Sequence, residues 1–334
     1  MKIYIHTIGC KVNQYETQVL KEFFEKQSNI IVNNFTLADL CIINSCSVTH
    51  NADSDCRKII RRILKENNSV KIIVTGCLNP KLIEDIKKIS DKIEIKLKEE
   101  ILGENYRNIT ICNFYDHSRA FVKIQDGCDA FCSYCIIPLV RNKMWSKSKD
   151  ILFKEINQLL ERGYKEIVLC GIRLGKYNDN GYNLSHLLKD LCLINKNFYI
   201  RLSSLEITDI NDTLIDIILK NHKIRRHLHL PLQSGDNDIL KLMFRPYTAE
   251  EYKNKIFYIK SKIENICITT DIMVGFPYET DERFQNTYNL AKEIKFDKIH
   301  VFRYSSRPGT YAQKYKYEIN SKIIKQRVNK LLYL

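Results

Sequence analysis

The chain has 334 residues, 44% apolar and 28% charged, with a formal net charge of +14. That is enough for two domains with cores of their own, in a composition typical of soluble globular proteins rather than disordered or fibrous ones. No apolar run reaches the roughly 18 residues that would mark a bilayer span, and the opening MKIYIHTIGC reads as a strand rather than a secretory leader, so a cytoplasmic location without membrane attachment is expected. The positive charge favours a polyanionic partner such as nucleic acid. The basic residues are scattered, so charge does not locate the surface.

Hydrophobic periodicity predicts an α/β protein throughout. In the first part, strand-like runs cover 2–8, 39–45, 70–76 and 92–97, with helical patterns over 13–27, 52–66 and 80–90. Pro80 suits the first turn of the last of these helices. Such alternation implies an open, mainly parallel sheet covered by helices. A second βα series has strands at 120–125, 166–171, 199–204, 227–233, 266–276 and 298–305. Its helices are expected near 149–163, 183–196, 209–221, 235–244, 248–265 and 280–295. This series falls short of a full eight-unit barrel and predicts a partial, open one. The polar stretch Asn113–Ser118 is the expected boundary, giving 1–117, 118–312 and a terminal segment 313–334 with a helix over Ser321–Leu332.

Twelve cysteines in a chain of this kind are not a disulfide framework. Cys128, Cys132 and Cys135 form a Cys-x-x-x-Cys-x-x-Cys triplet directly after the first strand of the second series. Parallel barrels carry their chemistry at that end of the strands. Three thiolates suit three irons of a [4Fe–4S] cluster and leave the fourth iron open to a cofactor. Gly127 permits a tight turn before the first ligand, and Phe131 and Tyr134 could exclude water from it. A three-cysteine zinc site or three unrelated thiols are the alternatives. Structural zinc prefers four ligands in paired units, and no second pair is visible.

The triplet, with an aromatic residue before its last cysteine, resembles the signature of radical S-adenosylmethionine (SAM) enzymes. The resemblance implies a partial (β/α)6 barrel that holds SAM on the open iron, where an electron from the cluster cleaves it to methionine and a 5′-deoxyadenosyl radical.

Cys10, Cys46 and Cys77 each follow the C-terminal end of an apolar strand. In an open parallel sheet those ends line one crevice, so three cysteines about 30 residues apart should converge. Small neighbours (Gly9, Ser45, Thr75 and Gly76) leave room for a cluster near the backbone. One such cysteine would be an ordinary buried thiol; three at equivalent strand ends favour a second metal site. Cys41, Cys56, Cys112, Cys170, Cys192 and Cys267 lie in or beside apolar segments and are expected to pack.

Together the two groups resemble the radical SAM methylthiotransferases. The likeness runs over about residues 1–312, through TIGCKVNQYET (7–17), INSCSVTHNAD (43–53), VTGC (74–77), KIQDGCDAFCSYCIIP (123–138), GIRLGKY (171–177), RLSSLE (201–206), HLHLPLQSGDN (227–237), TTDIMVGFP (269–277) and HVFRYSSRPGT (300–310). It implies two [4Fe–4S] clusters, an auxiliary one on Cys10, Cys46 and Cys77 and a radical one on Cys128, Cys132 and Cys135. In such enzymes one SAM methylates a sulfur on the auxiliary cluster, and a second generates the radical that removes hydrogen from the substrate carbon. Gly171, Gly175, Ser204, Glu206, Gln233 and Gly275 are the candidate SAM contacts. The resemblance also implies a tRNA substrate, an electron donor such as a flavodoxin or ferredoxin, and a sulfur source; a monomer is expected.

Three substrate subgroups compete: isopentenyladenosine in tRNA, threonylcarbamoyladenosine in tRNA, and an aspartate of a ribosomal protein. The segments 10–16, 133–138 and 201–206 most resemble the threonylcarbamoyladenosine subgroup, whose members act at C2 of the base at position 37, next to the anticodon. An iron–sulfur or tRNA-binding protein without turnover is the alternative from another class. Where the family usually reads Arg-Gly-x-x-Arg-Ser, this chain has Arg141-Asn-Lys-Met-Trp145-Ser, and Trp145 is expected in a core or lid role. Cys170 stands where threonine is usual, and Tyr278 where glycine is usual. The small RNA-binding β-barrel that ends most family members is expected to be missing.

Overall fold

The computed structural model describes residues 1–115 and 117–334; Asp116, inside the expected boundary, lies outside the described residues. The chain opens with β1 (Lys2–Thr7), α1 (Lys11–Lys26), β2 (Ile30–Ile31), β3 (Leu40–Ser45), α2 (His50–Glu66), β4 (Lys71–Gly76), α3 (Pro80–Lys87) and β5 (Ile93–Ile95). These strands form one parallel sheet in the order β2-β1-β3-β4-β5. β3, LCIINS, is buried at every residue, as a central strand covered on both faces must be. β2 has only two residues, too few for a hydrophobic period to register. Side-chain oxygens start the helices that follow β3 and β4: Thr49 accepts from the Ala52 N–H and Asn79 from the Leu82 N–H, each satisfying an otherwise unpaired donor.

The second series runs β6 (Ala120–Lys123), α4 (Lys149–Glu161), β7 (Glu166–Cys170), α5 (Leu184–Cys192), β8 (Tyr199–Leu202), α6 (Asp212–Lys220), β9 (His227–His229), α7 (Ala249–Lys262), β10 (Cys267–Val274), α8 (Asp281–Ile294) and β11 (Lys298–Arg303). β6, β7 and β8 pair in parallel, as do β9, β10 and β11. Between the two sets the Leu205 N–H donates to the His229 carbonyl at 3.0 Å, and the Arg225 N–H to the Ile200 carbonyl at 2.8 Å. Six parallel strands therefore follow one another in chain order, as expected of the open α/β barrel. A last helix, α9 (Ser321–Leu332), packs on β10 and β11. Among the described residues no helix is long and apolar enough to cross a membrane.

The two halves share a core. One face of the N-terminal sheet, with Cys41, Ile43, Ile72 and Val74, packs separately under α2 and α3, against Ile60 and Leu82 among others. The other face is covered by α1, whose Val12, Tyr15, Val19 and Leu20 belong to the same buried cluster as Val122, Leu152, Ile156 and Leu169 of the barrel. This explains why α1 buries polar residues as well: Asn13, Glu16, Gln18 and Glu22 lie below one tenth exposure. Each is held by polar partners within the protein rather than by water. Glu22, for example, accepts the backbone N–H groups of Cys112 and Asn113 at 2.9–3.1 Å.

A buried ion pair pins this contact. Lys147 Nζ donates to Glu155 Oε2 at 2.8 Å and to the Tyr15 hydroxyl at 2.6 Å, and Tyr15 donates to Glu155 Oε1 at 2.6 Å. Burial lowers the affinity of Lys147 for its proton, and Glu155 partly restores it. Removing one member leaves an uncompensated buried charge. Lys147→Met is therefore expected to lower the unfolding free energy by about 3–5 kcal/mol in urea titrations. The double variant Lys147→Met/Glu155→Leu should recover much of that loss.

Candidate active site

The N-terminal crevice gathers Cys10, Cys46 and Cys77 from three neighbouring strands. Register pairs Thr7 with Asn44 and Ser45 with Gly76, so β1, β3 and β4 end side by side. Cys10 sits at the N-terminus of α1. Cys46 and Cys77 each follow the last residue of a strand, and the Cys77 N–H donates to the Ser45 carbonyl at 3.0 Å. The backbone is too close here for larger residues. A Cβ on Gly9 would lie 2.7 Å from Cys46 Cβ and 3.2 Å from its sulfur; one on Gly76 would lie 2.3 Å from the Ser45 carbonyl oxygen. Both glycines have positive φ, +119° and +105°, a region that side chains disfavour.

Burial pushes the Cys46 thiol up to about 12 and raises that of Cys77, where Arg141 pulls in the opposite direction. Thiols of this kind are inert unless a metal or a cation stabilises the thiolate. Among the described residues no three His, Cys, Asp or Glu donors converge as ligands of a single metal ion would. Three thiols at neighbouring strand ends are one short of the four ligands structural zinc prefers and match a four-iron cluster with one iron left open.

Cys128, Cys132 and Cys135 occupy the loop beyond β6. The Cys135 N–H donates to the Cys132 carbonyl at 3.0 Å, and the Ala130 N–H to Cys128 Sγ at 3.4 Å. The loop is anchored through Ser133, whose N–H and hydroxyl donate to the Met243 and Leu242 carbonyls at 3.1 and 2.7 Å. Burial raises the Cys128 thiol and pushes Cys135 up to about 12. Tyr134 meets Phe276 edge-on at 6.4 Å, so it can wall the site. Phe131, though 75% exposed, lines the space beside Cys132.

A recess of about 380 Å³ opens beside Cys132, lined by Arg173, Glu206, Thr208, Phe244 and Arg245. Arg245, buried and ion-paired with Glu206, donates to Cys132 Sγ at 3.3 Å. Glu206 is the one SAM-contact candidate that lines the recess. Gly171 backs onto Gln125, Gly175 onto Asp209 and Gly275 onto Ile324, each within 3 Å of where a Cβ would stand. Their smallness serves close packing within the protein. Ser204 is exposed past β8. Gln233 holds a φ of +68°, with its N–H bonded to the Asp271 carbonyl at 2.8 Å.

The two cysteine groups are joined by charge. Arg141 Nε donates to Cys77 Sγ at 2.9 Å, and its other nitrogens reach Glu16, Asp126 and Asn13 at 2.8–3.0 Å. Lys123 Nζ bridges Glu16 and Asp126 at 2.7 and 2.8 Å, and Lys98 pairs with Glu16 at 2.8 Å. These cations hold the Glu16 and Asp126 carboxyls below their usual range despite burial. Asp126 also accepts the Gly127 N–H at 2.8 Å, immediately before Cys128. Trp145 closes this side beneath Lys123 and Arg107, whose charged groups lie 4.9 and 5.7 Å from its ring. Of the remaining cysteines, Cys41 and Cys56 belong to the N-terminal core and Cys170 to the shared one. Cys112 donates to Glu22, while Cys192 and Cys267 are half-buried. Sequence reasoning missed Lys123, Arg141, Arg173 and Arg245 as parts of the site. Two signals were available: Lys123, a lone charge inside the apolar run AFVKIQ, and Arg141, which keeps the first arginine of the family's Arg-Gly-x-x-Arg-Ser segment.

Residues 122–291 match the radical SAM superfamily, and residues 2–97 match the family described as uncharacterized protein family UPF0004. The fold agrees: the radical SAM methyltransferase TsrM of Kitasatospora setae superposes with a TM-score of 0.64 over 90% of this chain and 72% of its own, at 11% identity. Fold and triplet thus define a radical SAM enzyme, a class that uses a [4Fe–4S] cluster with SAM. Two curated relatives narrow this. The threonylcarbamoyladenosine tRNA methylthiotransferase of Bacillus subtilis is 36% identical across 98% of this chain and 79% of its own length. The tRNA-2-methylthio-N(6)-dimethylallyladenosine synthase of Thermodesulfovibrio yellowstonii is 34% identical across 99% and 82%. The chain belongs to the radical SAM methylthiotransferase family, whose enzymes transfer a sulfur-containing group.

The close packing at Gly76 gives a direct test of the crevice geometry. Gly76→Ala should lower the unfolding free energy by more than the roughly 1–3 kcal/mol attributable to backbone strain alone. Gly103→Ala, at φ +85° with nothing within 4 Å of its Cβ, should show the strain cost only. Equal midpoints in denaturant would contradict the crowding at Ser45.

Proposed function

We propose that this chain adds a methylthio group to C2 of N6-threonylcarbamoyladenosine at position 37 of tRNA, using two [4Fe–4S] clusters and SAM. The observation that carries the reading is the convergence of Cys10, Cys46 and Cys77 at three adjacent strand ends, with Arg141 joining them to the triplet loop. A radical enzyme with one cluster has no need of it. When bound, the clusters and SAM supply radical chemistry and a sulfur to transfer; the chain holds and orients them. Cys128, Cys132 and Cys135 hold the radical cluster, with Arg245 fixing Cys132 and Glu206 fixing Arg245. The recess beside Cys132 takes the polar end of SAM, with Gly171, Gly175, Ser204, Gln233 and Gly275 shaping the strand ends around it. Cys10, Cys46 and Cys77 hold the auxiliary cluster.

The division at 117/118 and 312/313, an outside electron donor such as a flavodoxin or ferredoxin, a sulfur source and a monomeric state belong to the same proposal. The net charge of +14 suits a tRNA substrate. The threonylcarbamoyladenosine name of the 36% identical relative, with the segments 10–16, 133–138 and 201–206, favours that nucleoside over the dimethylallyl one.

Anaerobic reconstitution should load about eight irons per chain, and Cys10→Ala about four, if each three-cysteine group holds one four-iron cluster. Four irons in the unaltered chain would remove the auxiliary cluster. Mass spectrometry of tRNA nucleosides, with and without the gene, should show loss of the methylthio-threonylcarbamoyl product alone. Loss of a methylthio-isopentenyl product instead would reassign the substrate.

A further inference from the structure

Between the two cysteine groups the chain buries five charged side chains in mutual contact: Glu16, Lys98, Lys123, Asp126 and Arg141. Three are cations and two are carboxylates, so the set carries one positive charge in excess. The neighbour that can complete the balance is Cys77, which as a cluster ligand is a thiolate. Arg141 makes that contact with Nε, 2.9 Å from the sulfur, while Glu16, Asp126 and Asn13 occupy both of its terminal nitrogens. The guanidinium is therefore held on three sides and cannot turn away from Cys77. Its partners come from opposite halves of the fold: Asn13 and Glu16 from α1, Asp126 from the strand end two residues before Cys128.

We propose that Arg141 is a positioning residue of the auxiliary site. It fixes the Cys77 thiolate and, through this charge-assisted hydrogen bond, raises the reduction potential of the auxiliary cluster. The inference rests on the two-cluster reading above. Hydrogen bonds and positive charge at ligand sulfur favour the reduced, more negative cluster, which is how surroundings tune these potentials. Lysine cannot take over the role fully. Its single ammonium lacks the planar fork that binds two carboxylates and the sulfur together.

The test uses the full chain in a Cys128→Ala/Cys132→Ala/Cys135→Ala background, so that any cluster signal comes from Cys10, Cys46 and Cys77. Because a lone Arg141→Gln would change the net charge of the buried set as well as remove the hydrogen bond to Cys77, the informative variants are Arg141→Lys and the charge-conserving pair Glu16→Gln/Arg141→Gln. Reconstituted protein is titrated with dithionite and followed by electron paramagnetic resonance. The expected result is a more negative midpoint in both variants, larger in the pair, with an altered spectrum of the reduced cluster. Loss of iron from a variant that keeps its circular dichroism and melting temperature also supports the holding role. Full iron with an unchanged midpoint and spectrum in both variants overturns the proposal. Absence of iron from the background protein itself overturns the two-cluster reading and removes the basis of this one.

Discussion

The structure depends on how a surplus of buried positive charge is accommodated where its two halves meet. Isolated, each of Glu16, Lys123, Asp126 and Arg141 would be costly to bury; in contact, each supplies the counter-charge another needs. The arrangement works only if α1, β6 and the loop after Cys135 arrive together. That requirement orders the site, because the same elements carry Cys10, approach Cys128 and follow Cys135. Arg307 repeats the device elsewhere. Fully buried, it pairs with Asp53 of α2 across 254 residues of sequence.

The polar side chains of α1 show why periodicity alone misjudges such a helix. Its pattern reads as amphipathic, with Val12, Tyr15, Val19 and Leu20 inward and the charges outward. In the fold the outward face is buried too, against the barrel and the crevice. Asn13 spans that contact: its amide donates to the Ile8 and Ser45 carbonyls at 2.8 and 2.9 Å, and its oxygen accepts from Arg141. The residues that look solvated in sequence are the ones that join the halves.

Much of the architecture was legible because it rests on local rules. The βα alternation, the strand ends carrying Cys10, Cys46 and Cys77, and the triplet after β6 all follow from runs shorter than ten residues. The strand expected at 92–97 shortens to Ile93–Ile95, since Leu97 already leads into a short helix over Lys98–Leu102. The helix expected at 80–90 ends at Lys87. The role of Arg141 was hidden because its contacts join residues 15, 64, 125 and 128 positions apart. No pattern in a single sequence records such pairings. Glu206 was visible as a polar residue at a strand end, but its tie to Arg245, 39 residues on, was not.

One apolar cluster runs from Ile3 and Val19 through Val122 and Leu169 to Ile272 and Leu331 without a break at the boundary. A molecule assembled this way holds its parts together by packing rather than by a linker. Cut at that boundary, either piece would present a broad greasy face to water, so neither makes a sound starting point for work on an isolated fragment. The spacing of the two cysteine groups is accordingly set by packing along the whole boundary, from α1 to the strands of the barrel, and not by the length of a linker.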